Sequence, residues 1–144
     1  MRFVFSLVLF SLLLLLATKV TFACSCAEES PQEAFERSGA VFLGEFIRFI
    51  KNDKQGNQVD LLKFNVERQW KGKLTSEVIL PYIDIPRMCG DLDFMKGSKY
   101  LIYASRRRGG TKLFRRWRYV VIVDCGRSRE RKYADEDLKF LEKL

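Results

Sequence analysis

The chain has 144 residues, 47% of them hydrophobic and 31% charged, with 26 Lys and Arg against 18 Asp and Glu for a formal net charge of +8. That length and balance suit one globular domain with a modest core. The chain contains no histidine, which excludes Ser-His-Asp and Cys-His catalysis and any His-ligated metal. Neither enzymatic activity nor a cofactor nor an intrinsic metal site is expected.

Residues 1–23 read as a secretory signal. Arg2 supplies the positive start, residues 3–17 form an almost unbroken apolar run, and Thr21 and Ala23 are the small residues three and one before the cut. The run borders on the length of a membrane span, but the small residues and the cysteine directly after them favour removal. A lipid-anchored form needs Leu or a similar residue three before the cysteine and a small residue two before it; Thr21 and Phe22 stand there instead. Cleavage leaves one extracellular domain, residues 24–144, with no membrane segment and a formal charge of +6 once Arg2 and Lys19 are gone.

All four cysteines, Cys24, Cys26, Cys89 and Cys125, follow the leader. An even number in a secreted chain implies two disulfides. A bond between Cys24 and Cys26 would be strained, so each pairs with one of Cys89 and Cys125, in either arrangement. Closing loops this long disfavours the unfolded chain by about 4 kcal/mol each in the chain-entropy model, less in sum because the loops overlap.

Ser30-Pro31-Gln32-Glu33 predicts a helix start, with Ser30 as N-cap, Pro31 at the first helical position and Glu33 completing a capping box. The helix ends near Ser38-Gly39 and turns Ala34 and Phe35 inward. Residues 40–50 predict a strand, bent or bulged at Gly44. A polar turn over 51–58 leads to a second strand, 59–70, in which Leu62, Phe64, Val66 and Trp70 share one face. Lys71-Gly72-Lys73 turns the chain into a third strand, 77–82, followed by extended loop over 83–87. Lys96-Gly97-Ser98 turns into a fourth strand, 100–104. A basic loop, 106–110, precedes the last strand, 112–124, with Trp117, Tyr119, Val121 and Val123 on one side. Residues 134–144 predict an amphipathic helix with Leu138, Phe140 and Leu141 inward and Asp135, Glu136 and Asp137 complementing the helix dipole. The fold class is mainly β: a small closed or partly open barrel of five strands, with a short N-terminal helix and a C-terminal helix.

Much of the basic excess falls between Arg106 and Lys132. It reads either as a solvated face or as an attraction for polyanions or acidic partner surfaces. Nucleic acid is not an expected partner of a secreted chain.

Cys24-Ser25-Cys26 at the mature start, followed by Pro31-Gln32-Glu33-Ala34-Phe35, resembles the opening of the tissue inhibitors of metalloproteinases. The resemblance continues through Lys71-Gly72, Cys89-Gly90 with Leu92, Gly97 with Lys99-Tyr100-Leu101-Ile102, and Asp124-Cys125. It covers nearly all of residues 24–144 and implies a netrin-like (NTR) barrel of the OB-fold type. It also implies the pairing Cys24–Cys89 and Cys26–Cys125. The function it implies is inhibition of zinc metalloendopeptidases. The α-amine and carbonyl oxygen of Cys24 grip the protease's catalytic zinc, and Ser25 enters its first specificity pocket. Cys26 and Ala27 extend the contact, and Arg87 and Met88, beside Cys89, widen it. Two departures stand out. Glu36 occupies the position of the first cysteine of the family's third disulfide, and Pro86-Arg87-Met88 is bulkier than the usual small residues there. The alternative is a non-inhibitory netrin-like module whose basic face binds heparin-like glycans or extracellular proteins.

Overall fold

The computed structural model describes residues 29–51, 60–84, 92–106, 119–123 and 126–144. Helix α1, Pro31–Arg37, starts as its sequence predicts: the Ser30 side chain accepts from the Glu33 amide, and the Glu33 carboxylate accepts from the Ser30 amide at 2.9 Å. The Ser30 hydroxyl also donates to the Glu33 carboxylate at 2.7 Å, and that bond, followed by the one from the Ser30 amide, holds the Glu33 carboxyl below its ordinary pKa. Ser38 ends the helix, and its hydroxyl donates to the Ala34 carbonyl at 2.7 Å.

Five strands come next: β1 (Ala40–Ile50), β2 (Leu61–Lys71), β3 (Glu77–Asp84), β4 (Lys99–Arg106) and β5 (Tyr119–Val123). Antiparallel pairs β1–β2, β2–β3, β4–β5 and β1–β4, with β3 and β5 parallel, close them into a mixed barrel of OB-fold-like order β1-β2-β3-β5-β4. The barrel is closed, which settles the choice left open by the sequence. A two-residue strand, β6 (Arg129–Glu130), adds to the start of β4. A 3-10 turn, Arg131–Tyr133, then leads to α2, Asp135–Leu141. Neither β6 nor the 3-10 turn is expected from the sequence.

The barrel interior is filled mainly by Phe42, Phe46, Leu62, Phe64, Leu80, Phe94, Tyr100, Ile102, Tyr119 and Val121. Phe46 lies near its middle, with ring centroids 5.6 Å from Phe64 and 5.3 Å from Phe94. The Tyr100 hydroxyl donates to the Asp93 carbonyl at 2.9 Å and accepts from the Met95 amide at 2.7 Å, fastening that segment to the barrel. A second, outer layer packs Val41, Leu101 and Tyr103 against Ala34 of α1 and Ala134, Leu138 and Leu141 at α2. Phe35 and Phe140 close it edge to face at 6.1 Å, so both helices turn inward the side chains their sequences predict. Strand β4 is therefore buried on both faces.

Three expectations are corrected. Trp70 does not share a face with Leu62 and Phe64 but packs on the outer layer. The β1–β2 register jumps from Val41↔Lys71 to Phe42↔Gln69 and from Leu43↔Arg68 to Gly44↔Val66, leaving Trp70 and Glu67 as extra residues. Bulges of this kind break the two-residue alternation. Arg106 is not in a loop: it is the last residue of β4 and pairs with Tyr119. Strand β3 also runs past its predicted end at Tyr82, to Asp84. The basic loop beyond Arg106 and the first part of the last predicted strand, with Trp117, lie outside the described residues.

Gly72 turns β2 toward β3 with φ of +97°, and a Cβ there would sit 2.7 Å from the Ala40 Cβ. Gly97 has φ of +83° but nothing within 4 Å of that position. The left-handed backbone alone costs an alanine about 1–2 kcal/mol; overpacking adds about 1–3 kcal/mol. Gly72→Ala is therefore expected to lower unfolding free energy by about 3 kcal/mol and Gly97→Ala by about 1 kcal/mol in urea titrations. Equal losses would show that the approach to Ala40 is not what demands glycine.

Candidate functional site

Cys24, Ser25, Cys26, Ala27, Arg87, Met88, Cys89 and Cys125, the residues to which the sequence assigns the site, lie outside the described residues. The structure places the frame on either side of them. Strands β3 and β5 pair in parallel through Tyr82↔Val121, Ile83↔Ile122 and Asp84↔Val123. Parallel partners leave a sheet at the same end. The backbone that continues toward Cys89 and the backbone that continues toward Cys125 therefore start from paired positions, Asp84 and Val123.

The chain is described again from Gly126, and Arg127 is the hub of the hydrogen bonds in this corner of the domain. Its Nε donates to Asp137 Oδ1 at 2.7 Å and its Nη2 to Asp137 Oδ2 at 2.9 Å, a two-point grip on a carboxylate that is fully buried. Nη2 also donates to Glu136 Oε2 at 2.6 Å. Nη1 reaches across 98 positions of sequence to the Glu29 carbonyl, at 2.5 Å. The Glu29 side chain is held as well, by Arg37 Nη2 at 2.7 Å. Glu29 is thus fixed at both its backbone and its carboxylate, three residues after Cys26 and close to a residue two after Cys125.

The carboxylate of Asp137 takes a third donor, the Tyr103 hydroxyl, at 2.8 Å. Burial, reinforced by that bond, pushes the Tyr103 phenol far above its ordinary pKa. The bond to Asp137 likewise raises the Arg127 guanidinium. Both groups therefore remain donors across the whole physiological range. Ser128 completes the tie between this corner and β4, its Oγ accepting from the Tyr103 amide at 2.9 Å.

No protein-family model matches the chain, and no curated protein matches it.

Arg127, Asp137 and Tyr103 are not among the site residues that the sequence singles out. It assigns Asp137 to the helix dipole, yet Ala134, Asp137, Leu138 and Leu141 fall at the spacing of one helical stripe and all four are buried. A carboxylate on the apolar stripe of an amphipathic helix is the signal that could have found it, because such a group requires a buried cation or several donors.

Removing one partner of a buried pair leaves an uncompensated charge, at a cost of about 3–5 kcal/mol. Asp137→Asn is expected to lose stability of that order in urea unfolding. Tyr103→Phe, which removes one bond to a charged acceptor, is expected to lose about 2 kcal/mol. A loss below about 1 kcal/mol for Asp137→Asn would contradict a network that organises this corner.

Proposed function

We propose that the chain is a secreted inhibitor of zinc metalloendopeptidases that acts through the amine and carbonyl of Cys24 at the start of the mature chain. The observation that carries the reading is the bond from Arg127 to the Glu29 carbonyl. It holds Glu29, three residues after Cys26, against Arg127, two after Cys125, which suits a disulfide between those two cysteines. The parallel exit of β3 and β5 supports the remaining bond, Cys24 to Cys89, since the stretch toward Cys89 sets out from beside the stretch toward Cys125. Two such crosslinks on a closed barrel would hold Cys24-Ser25-Cys26 extended at the surface. Little chain entropy would then be lost on docking.

The chemistry comes from the terminus itself. An unperturbed α-amine has a pKa near 8, so a sizeable fraction is neutral and carries a free lone pair. With the carbonyl oxygen of the same residue it closes a five-membered chelate on a metal. A catalytic zinc keeps one position for the water that it activates. The chelate displaces that water and removes the nucleophile. Ser25 then enters the first specificity pocket, Cys26 and Ala27 continue the contact, and Arg87 and Met88 flank it.

The secreted, oxidised chain is expected to inhibit at least one protease of a matrix-metalloproteinase panel, and intact mass should show cleavage before Cys24 and two disulfides. Adding one alanine before Cys24 should weaken inhibition by at least a hundredfold while leaving the melting temperature unchanged. A correctly processed chain that leaves the whole panel fully active would overturn the proposal.

A further inference from the structure

We infer that the barrel carries an anion-binding site, separate from the Cys24 terminus, that takes a sulfate or phosphate ester group. Among the described residues, a cleft of about 540 Å³ opens between the end of α1, the β2–β3 turn and the paired ends of β4 and β5. Its lining holds four cations, Arg37, Lys71, Lys73 and Arg106, against the single carboxylate of Glu36. Glu36 is itself engaged along the outside of α1, accepting from Gln32 Nε2 at 3.0 Å.

The cations divide by how they are used. Lys71 Nζ donates to the carbonyls of Phe35 and Glu36 at 2.6 and 3.0 Å, capping the negative end of α1 that would otherwise repel an anion. Arg37 gives one Nη to Glu29 and keeps its other donors. Lys73 and Arg106 also line the cleft, and neither has a carboxylate partner among the described residues. At the wall stands Tyr119, 7% exposed, whose hydroxyl accepts from the Lys73 amide at 3.0 Å. A phenol that accepts in this way still has its own proton to give, and among the described residues that proton has no acceptor. An almost buried O–H donor and two cations with no carboxylate partner among the described residues line one concavity, the donor set that an ester sulfate or phosphate takes. The cleft is open to solvent on one side, which leaves room for the carrier of an ester group.

The test uses the full chain, titrated at constant ionic strength with sodium sulfate and with sodium phosphate while the amide resonances of Gly39, Gly72 and Lys73 are tracked. One of the two anions is expected to shift those resonances saturably. Lys73→Gln with Arg106→Gln should weaken that binding at least tenfold. Lys51→Gln with Lys96→Gln, which removes equal charge at the opposite end of β1 and β4, should change it less than twofold. Competition by a sulfated heparin fragment alone, or by inositol hexakisphosphate alone, identifies whether the carrier is a sulfated glycan or a phosphorylated ligand. Shifts that never saturate, that spread beyond the cleft, or that fall equally in the two double variants would overturn the site in favour of general charge attraction. Because the wild-type shift map alone can overturn the inference, the test survives a variant that fails to fold.

Discussion

Asp137 is enclosed completely within an otherwise apolar layer, and it is tolerated there because Arg127 meets it with two parallel N–H donors and Tyr103 with a third. Stripping water from a carboxylate and a guanidinium costs several kcal/mol per ion, and their attraction offsets this only with near-complete hydrogen bonding. Well-packed apolar residues of the same volume would serve stability about as well. What they would not supply is direction. The planar fork of an arginine, once two of its corners are set by one carboxylate, leaves its remaining donors no freedom to wander. Here the remaining corner points at the Glu29 carbonyl. The buried pair is therefore best understood as a positioning device that ties the segment ahead of α1 to α2.

That device works because β4 stands between two layers. Tyr100, Ile102 and Ala104 face the barrel interior, while Leu101 and Tyr103 face the helices. A strand covered on both sides loses the polar alternation of a surface strand, and the run Tyr100-Leu101-Ile102-Tyr103-Ala104 shows it. Tyr103 reaches Asp137 from the outer face of this strand. The orientation of α2 is thereby referred to the barrel itself. The bulges in β2 add to the same layer: by breaking alternation they turn Trp70 outward, where it packs, as Phe35 and Phe140 do, against the outer cluster. Barrel closure and helix docking are in this sense one event, shared through β4 and the far end of β2.

The parts legible in the sequence are those whose causes are local. The Ser30–Glu33 capping box needs only four adjacent residues, and it forms as the sequence predicts. Strand β1 runs over Ala40–Ile50, the span its apolar run predicts. The side of α2 that carries Leu138 and Leu141 comes from helical period alone. The features that are not legible depend on partners distant in sequence. The face of Trp70 is decided by how β1 pairs against β2. Strand β6 has two residues, and only the waiting edge of β4 makes it a strand. Asp137 looks like an ordinary acidic residue near a helix start until Arg127 and Tyr103 are brought to it. For the terminus, the cysteines and their spacing are legible as chemistry, and the resemblance supplies a role. The structure contributes the frame at Glu29, Asp84, Val123 and Arg127.

The frame and the cationic cleft meet at a single side chain. Arg37 lines the cleft and also holds the Glu29 carboxylate, so an anion that drew Arg37 away would act on the residue whose carbonyl Arg127 holds. The strength of that coupling is bounded by the pair it would break. The Arg37 side chain is 69% exposed, and exposed ion pairs contribute at most about 1 kcal/mol, roughly fivefold in an equilibrium. The bond that fixes the Glu29 backbone comes from Arg127, which is engaged at every corner by Asp137, Glu136 and Glu29 itself and has no part in the cleft. Occupying the cleft would thus loosen a side chain while leaving the backbone of the anchor in place. The side-chain pair at the cleft and the backbone bond that holds Glu29 are therefore separate contacts.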